Sequence, residues 1–342
     1  MGWADPRSGD ADTVPAMDAS AAPPIAVARD SDVPVVAVVG ATATGKSDLA
    51  IALAERLDGE VVNADALQLY RGMDIGTAKV TAQERHGVAH HLLDVLTVTE
   101  EASVSAYQRQ AREAVAGIRA RGRVPILVGG SGLYVRAALD EIEFPPTDPA
   151  VRARLEKRAE REGAAALHRA LADTDPEAAR TIGVQDTRRI VRALEVGELT
   201  GRPFTAFLPR PLYHHPGTVQ LGLRLERPVL HERIEARVHR MVQQGLLQEI
   251  SGLREQGLDD GRTARRAIGY EQGLAVLDGA ISCEQAIEDT IAGTRRLVRK
   301  QDTWFRRDLR VRWLTADAGE ALVEHALARI REEAMTTREQ QP

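Results

Sequence analysis

Residues Gly40-Ala41-Thr42-Ala43-Thr44-Gly45-Lys46-Ser47 fit the pattern G-x-x-x-x-G-K-[ST] without a mismatch, and nothing else in the chain restricts its fold as tightly. Such a loop works only between the end of a β-strand and the start of a helix. Both neighbours are legible: Val35 to Val39 is a β run, and Leu49, Ala52, Leu53 and Leu57 follow at helical spacing. The glycines let the backbone bend until successive N–H groups converge on an anion, and the helix N-terminus adds its partial positive charge. All eight residues from Gly40 to Ser47 are therefore candidate phosphate ligands. Lys46 would neutralise a terminal phosphate, and the Ser47 hydroxyl suits Mg²⁺. The plain alternative is a glycine turn without a ligand. Against it, the chain holds only 4 lysines beside 41 arginines, and one of the four sits in this loop. A compact ammonium fits a cramped nest of amides where a planar guanidinium does not.

Beyond the loop the chain alternates strands and helices. A second β run, Val61 and Val62, leads to Asn63, Ala64 and Asp65; residues 105 to 120 read as a helix ending at Gly122; Val124 to Val128 read as a buried strand that stops at Gly129 and Gly130. This order predicts a parallel sheet with right-handed crossovers and ligands at the carboxyl ends of its strands. Asp148 as N-cap with Pro149 at the first helical position opens a stretch to about residue 210 without a convincing strand. A Pro-rich segment from Leu208 to Pro216 closes it, alternation along Val219, Leu221, Leu223 and Leu225 returns to the sheet, and Leu230, Ile234, Val238 and Met241 mark the helix that follows. The last long helix starts at Ser282, which with Gln285 resembles a capping box. The expected fold class is α/β: a P-loop NTPase-like parallel sheet with flanking helices and a helical insertion domain. Residues 34–145 and 217–316 form the core and 146–216 the insertion. Residues 1–33, rich in Ala, Asp, Pro and Ser, read as a disordered tail, and 317–342 as a C-terminal helix or tail.

No apolar run approaches the roughly 20 residues that span a bilayer, and the N-terminus lacks a signal-peptide pattern, so a cytoplasmic protein with no membrane association is expected. The single Cys283 allows no internal disulfide and is read as a packing residue. The formal charge of −5 is unevenly spread. Both termini are acidic, which leaves 34–315 net positive, with a dense run of Arg295, Arg296, Arg299, Lys300, Arg306, Arg307, Arg310 and Arg312. A solvated helix face is the bland account of that run. Trp304 and Phe305 within it keep a polyanionic partner in play.

A kinase or nucleotide hydrolase is the default for a P-loop, but the chain has no N-K-x-D tetrapeptide, and Gly129-Gly130-Ser131 stands where a strand-end acid is expected. The segment Asn63-Ala64-Asp65-Ala66-Leu67-Gln68-Leu69-Tyr70-Arg71-Gly72-Met73-Asp74-Ile75-Gly76-Thr77-Ala78-Lys79 resembles the tRNA dimethylallyltransferases (isopentenyl-tRNA transferases). The resemblance continues through His90-His91-Leu92-Leu93-Asp94, Leu127 to Tyr134, Arg266-Ala267-Ile268-Gly269-Tyr270, and Arg299-Lys300-Gln301 to Trp304 and Arg306, so it spans about 34–314. Ala66 stands where the family usually has Ser, Ala89 where Pro often precedes the two histidines, and Ser131 where Thr is common.

The resemblance implies transfer of a dimethylallyl group from dimethylallyl diphosphate to N6 of the adenosine 3′ of the anticodon, position 37 of tRNA, with Mg²⁺ as cofactor. Asp65 would be the general base, since an aromatic amine is a poor nucleophile until its proton is taken. A strand-end Asp exposed to solvent, or one near a metal, is the alternative. Ser131 belongs by resemblance to the reaction centre, or is a turn-stabilising hydroxyl. Lys46 and the loop amides would receive the charge of the departing diphosphate. Arg237 is a further candidate diphosphate ligand, or an idle helix arginine. Contacts to the anticodon stem-loop are implied for Asp65, Ala66, Leu67, Gln68, Ser131, Arg152, Arg188, Arg189, Arg192, Arg266, Gly269, Tyr270, Arg299, Lys300, Gln301, Trp304 and Arg306. His90 and His91 lack a third ligand at metal spacing and read as packing or hydrogen-bonding residues. A kinase in which Asp65 holds an acceptor alcohol, and a non-catalytic RNA-binding P-loop protein, are the competing readings. A monomer is expected.

Overall fold

A computed structural model describes residues 33–207, 211–316 and 319–339. The expected tail at 1–33 therefore lies outside the described residues except for its last position, as does the start of the Pro-rich segment at Leu208. Six strands form one all-parallel sheet: β1 (Val35–Gly40), β2 (Gly59–Asn63), β3 (His90–His91), β4 (Val124–Gly129), β5 (Thr218–Arg224) and β6 (Val311–Thr315), in the order β3-β2-β4-β1-β5-β6. The helices are α1 (Lys46–Leu57), α2 (Val104–Ala120), α3 (Gly132–Leu139), α4 (Pro149–Glu162), α5 (Ala164–Thr174), α6 (Pro176–Thr181), α7 (Thr187–Thr200), α8 (Arg227–Gln243), α9 (Leu246–Glu255), α10 (Tyr270–Leu277), α11 (Cys283–Arg306) and α12 (Glu320–Glu339).

β1 is apolar at every position because both of its faces are covered. Val36 and Val38 pack with Leu49 and Leu53 of α1 and with Leu322, Val323, Ala326, Leu327 and Ile330 of α12. Val35, Ala37 and Val39 face Tyr107, Ala111, Val115 and Ile118 of α2, with Val135 and Leu139 of α3. The C-terminal segment is thus a structural layer of the core. The β5 positions expected to alternate are instead buried on both faces up to Leu223, because Val219, Leu221 and Leu223 pack with α1 and α12 while Gln220 on the other face meets Tyr213 and Asp308.

The insertion has an apolar core of its own, drawn from Leu155, Ala159, Leu167, Leu171, Ala178, Ile182, Ile190 and Val191. Asp148 caps α4 as expected, accepting from the amides of Ala150 and Val151. The module leaves and re-enters the core at one place. Glu141 N donates to Leu212 O (2.9 Å) and His214 N to Leu139 O (2.7 Å).

Three expectations need correction here. The basic run is not one helix face: α11 ends at Arg306 and the chain then enters β6. Arg310 pairs with fully buried Asp140 (2.8 Å) and with Asp308 (2.6 Å), and Arg312 pairs with Glu333 (2.5 Å), so these two arginines hold the fold together. The capping box at Ser282 is half formed: its hydroxyl accepts from Gln285 N (3.2 Å), but the Gln285 side chain turns to Asp289 (3.2 Å). Cys283, expected to pack, is exposed at the start of α11.

Candidate active site

The parallel sheet brings the ends of β1, β2 and β4 to one edge, and the phosphate loop leaves from the middle of that edge. Gly40 has φ 135°, and a Cβ there would lie 2.8 Å from Leu223 O on β5, so only glycine fits. Gly45, at φ 88°, precedes α1. The loop closes on itself, with Thr44 Oγ1 donating to Ala41 O (2.9 Å) and Lys46 Nζ donating to the same carbonyl (2.6 Å).

Asp65 is held opposite. Asn63, the last residue of β2, accepts from Asp65 N (2.9 Å) and donates to Asp65 O (3.0 Å) and Leu92 O (2.9 Å), while Tyr107 OH caps Asn63 O (3.0 Å). Asp65 Oδ1 accepts from Leu67 N (3.0 Å), which fixes the carboxylate's direction. Sequence reasoning passed over Asn63 as a site residue; an Asx turn at a strand end was the signal available. The Ser131 hydroxyl accepts from Ala66 N (3.3 Å) and joins the β4–α3 turn to this segment.

The two groups influence each other. Burial raises the Asp65 carboxyl above its ordinary range, opposed by the Leu67 amide and the charge of Lys46. Burial lowers the Lys46 ammonium to about 8, opposed by Asp65 and reinforced by Arg237. Both face a cleft of about 650 Å³ that also meets Thr42, Ser47, Gln68, Gly130 and Arg237. Beside Asp65, Thr42 and Arg237 opens a smaller recess of about 110 Å³, walled by Ile234, Val238, Met241, Ile268 and Leu297.

One lip of the cleft is the segment from Asp74 to Lys79. Glu249 of α9 accepts from the amides of Asp74 (3.1 Å), Ile75 (2.7 Å) and Gly76 (3.2 Å) and from Tyr270 OH (2.6 Å). Lys79, almost fully buried, pairs with Asp74 and Asp94 (2.6 Å each). Glu249 was not anticipated as an organiser, since no local pattern distinguishes it; Lys79 closes the segment that carries the family resemblance but was given no role there.

Of the residues anticipated from sequence, the cleft gathers Thr42, Ala43, Gly45, Lys46, Ser47, Asp65, Gln68 and Arg237. Leu67 lines the recess. Ala41 and Thr44 are buried and shape the loop from behind. Arg299, Lys300 and Trp304 share an open groove on α11 with Arg296, Thr303 and Arg307; exposed Arg306 lies outside it. Arg188 and Arg189 are exposed at the start of α7, and Arg266 is exposed in the short helix Ala264–Arg266.

Five expected contact residues are otherwise engaged. Tyr270 is fully buried, its hydroxyl on Glu249, and Gly269 is buried beside it. Arg152 and Arg192 converge on fully buried Glu195 (2.8 and 2.9 Å), and Arg192 also donates to Pro145 O (2.8 Å) and Pro146 O (2.9 Å). Buried Gln301 bonds to the phosphate loop. The histidines behave as expected: His91 pairs with Glu60 (2.6 Å) and His90 bonds to Val88 O (2.9 Å). No group of three or more metal-ligating side chains occurs among the described residues.

The IPP transferase family model matches residues 68–308. The chain belongs to the IPP transferase family. It is 61% identical over 297 residues to a tRNA dimethylallyltransferase of Kocuria rhizophila, covering 87% of this chain and 93% of that protein. It is 60% identical over 283 residues to a tRNA dimethylallyltransferase of Streptomyces coelicolor, covering 82% and 90%. Among solved structures it resembles the full-length tRNA isopentenylpyrophosphate transferase of Bacillus halodurans, with TM-score 0.65, 38% identity and coverage of 89% and 99%. It also resembles a eukaryotic dimethylallyltransferase acting on tRNA, with TM-score 0.73, 27% identity and coverage of 82% and 73%. In this IPP transferase Ala66 costs no bond to the β4–α3 turn, because Ser131 is reached by the backbone amide of residue 66.

Proposed function

We propose that this protein transfers a dimethylallyl group from dimethylallyl diphosphate to N6 of the adenosine at position 37 of tRNA and releases diphosphate. The observation that carries the proposal is the opposition of Lys46 and Asp65 across one cleft with an apolar recess beside them. A diphosphate suits the loop, a five-carbon branched chain suits the recess, and the amine reaches the carbon between them. As the N–C bond forms, the carbon–oxygen bond to diphosphate breaks and its electron pair leaves with the diphosphate. Asp65 accepts the proton that the amine sheds, and a carboxylate of raised pKa is the better acceptor. Lys46 and the loop amides meet the charge that grows on the leaving group.

Ser47 at the cleft would hold Mg²⁺, with the remaining positions filled by phosphate oxygens and water, which suits an ion that keeps several waters and needs few protein ligands. The ion would neutralise charge on the leaving diphosphate. Arg299, Lys300, Trp304 and Arg306 on α11, with Arg188, Arg189 and Arg266, would grip the anticodon stem-loop backbone while the target base is flipped toward Asp65. The proposal extends to a monomer acting in the cytoplasm; no described helix is long and apolar enough to cross a membrane. Mass analysis of tRNA from a strain lacking the protein tests it. Loss of prenylated adenosine at position 37 is expected, and unchanged content overturns the reading.

A further inference from the structure

Helix α11 has two faces with different duties. Its outer face carries the groove of Arg296, Arg299, Lys300 and Trp304. Its inner face carries Gln301, whose side chain is buried against the phosphate loop. Gln301 Oε1 accepts from Thr42 N (2.9 Å), and Nε2 donates to Gly130 O (3.0 Å). An N–H requires an acceptor and a carbonyl a donor, so the two partners fix the orientation of the amide. The fit is close: a Cβ at Gly130 would come within 2.5 Å of Gln301 Nε2. Three residues further along, Trp304 covers Gly132, where a Cβ would fall 2.1 Å from the indole. α11 thus grips the β4–α3 turn on both sides of Ser131 and touches the phosphate loop through one amide.

We propose that Gln301 is a positioning residue for the phosphate loop: it spaces Thr42 from Gly130 so that the loop keeps its shape for a diphosphate, although it stands among residues that face the polynucleotide. The inference rests on the functional reading above, which supplies the diphosphate. Both polar ends of the side chain are committed inside the protein, and a group so committed has little left to offer a nucleotide. Its removal leaves the amide of Thr42 and the carbonyl of Gly130 without these partners, and the loop relaxes around them.

The test uses Gln301→Met, which keeps length and bulk while deleting both hydrogen bonds, and Gln301→Asn, whose amide is too short to reach both partners. Three quantities are measured in the full chain: pyrophosphate affinity by calorimetry with Mg²⁺ present, KM for prenyl donor and for tRNA separately, and melting temperature. Expected in both variants is pyrophosphate binding weakened by roughly tenfold, on the scale of leaving one buried amide or carbonyl of the loop unsatisfied. Donor KM should rise in parallel, with tRNA KM within about twofold of the parent. A rise confined to tRNA KM overturns the proposal in favour of a direct tRNA contact. A fall in melting temperature with both affinities unchanged overturns it in favour of packing alone. Failure of the functional reading is separable, since pyrophosphate binding by parent and variants is read without any prenyl transfer.

Discussion

In the proposed reaction Asp65 is the residue that accepts the amine's proton. Burial raises its pKa, so the basic form accumulates as pH climbs through that raised value and is lost below it. kcat/KM should therefore fall on the acid side with an apparent pKa above that of an ordinary aspartate. Asp65→Asn should abolish this limb and lower kcat by about a hundredfold or more, the usual scale for a general base, with pyrophosphate binding retained. An Asp65→Asn enzyme of near-parent kcat, or one with the same acid limb, contradicts the assignment. At the other end of β2 the balance is reversed. Burial alone would raise Glu60, but hydrogen bonds from Arg121 and His91 prevail and hold it at about 2. A folded pKa below the unfolded value of about 4.3 gives stability that is present above that value and lost as pH falls toward 2. Glu60→Gln should cost roughly 1–3 kcal/mol at pH 7, the scale of breaking a buried charge-assisted pair. The gap in melting temperature between parent and variant should narrow below pH 4, and a gap that stays constant from pH 7 to pH 3 contradicts the linkage.

At the scale of elements, the insertion is held together internally by one carboxylate that joins α7 to the start of α4. Glu195 is fully buried and accepts from Asp148 N (3.0 Å), Arg152 and Arg192. Glu195→Ala leaves three donors without their acceptor and should destabilise by roughly 2–4 kcal/mol, less than a wholly buried pair because both arginines keep contact with water. Hydrogen exchange should quicken across 149–200 while β1 and β4 stay protected; uniform quickening contradicts the idea of a separate module. Elements with local signatures were legible in the sequence: the Asp148-Pro149 start, the Leu230, Ile234, Val238 and Met241 stripe, the Ser282 cap. Those held by distant partners were not. β3 has two residues and no pattern to detect, the Asp74–Gly76 backbone is fixed by Glu249 from α9, and β6 is disguised by Arg310 and Arg312. The same limit applied within the site. Phosphate-loop residues and Asp65 follow from motif and position, whereas the inward turn of Tyr270 and Gln301 depends on contacts that no spacing encodes.

For the whole molecule, one parallel sheet sets the arrangement: strand ends bring loop amides, an ammonium and a carboxylate together, and α11 places a basic groove on its outward side. In the proposed function the P-loop serves as a grip for a leaving group, with no phosphoryl passed on. The direct measurement is an assay of purified protein with Mg²⁺, tRNA and dimethylallyl diphosphate, following pyrophosphate and prenylated adenosine together. The account predicts the two products in equal amounts, with the modification at position 37. No pyrophosphate under these conditions, together with transfer of the γ-phosphoryl group of ATP to an alcohol acceptor, would contradict it.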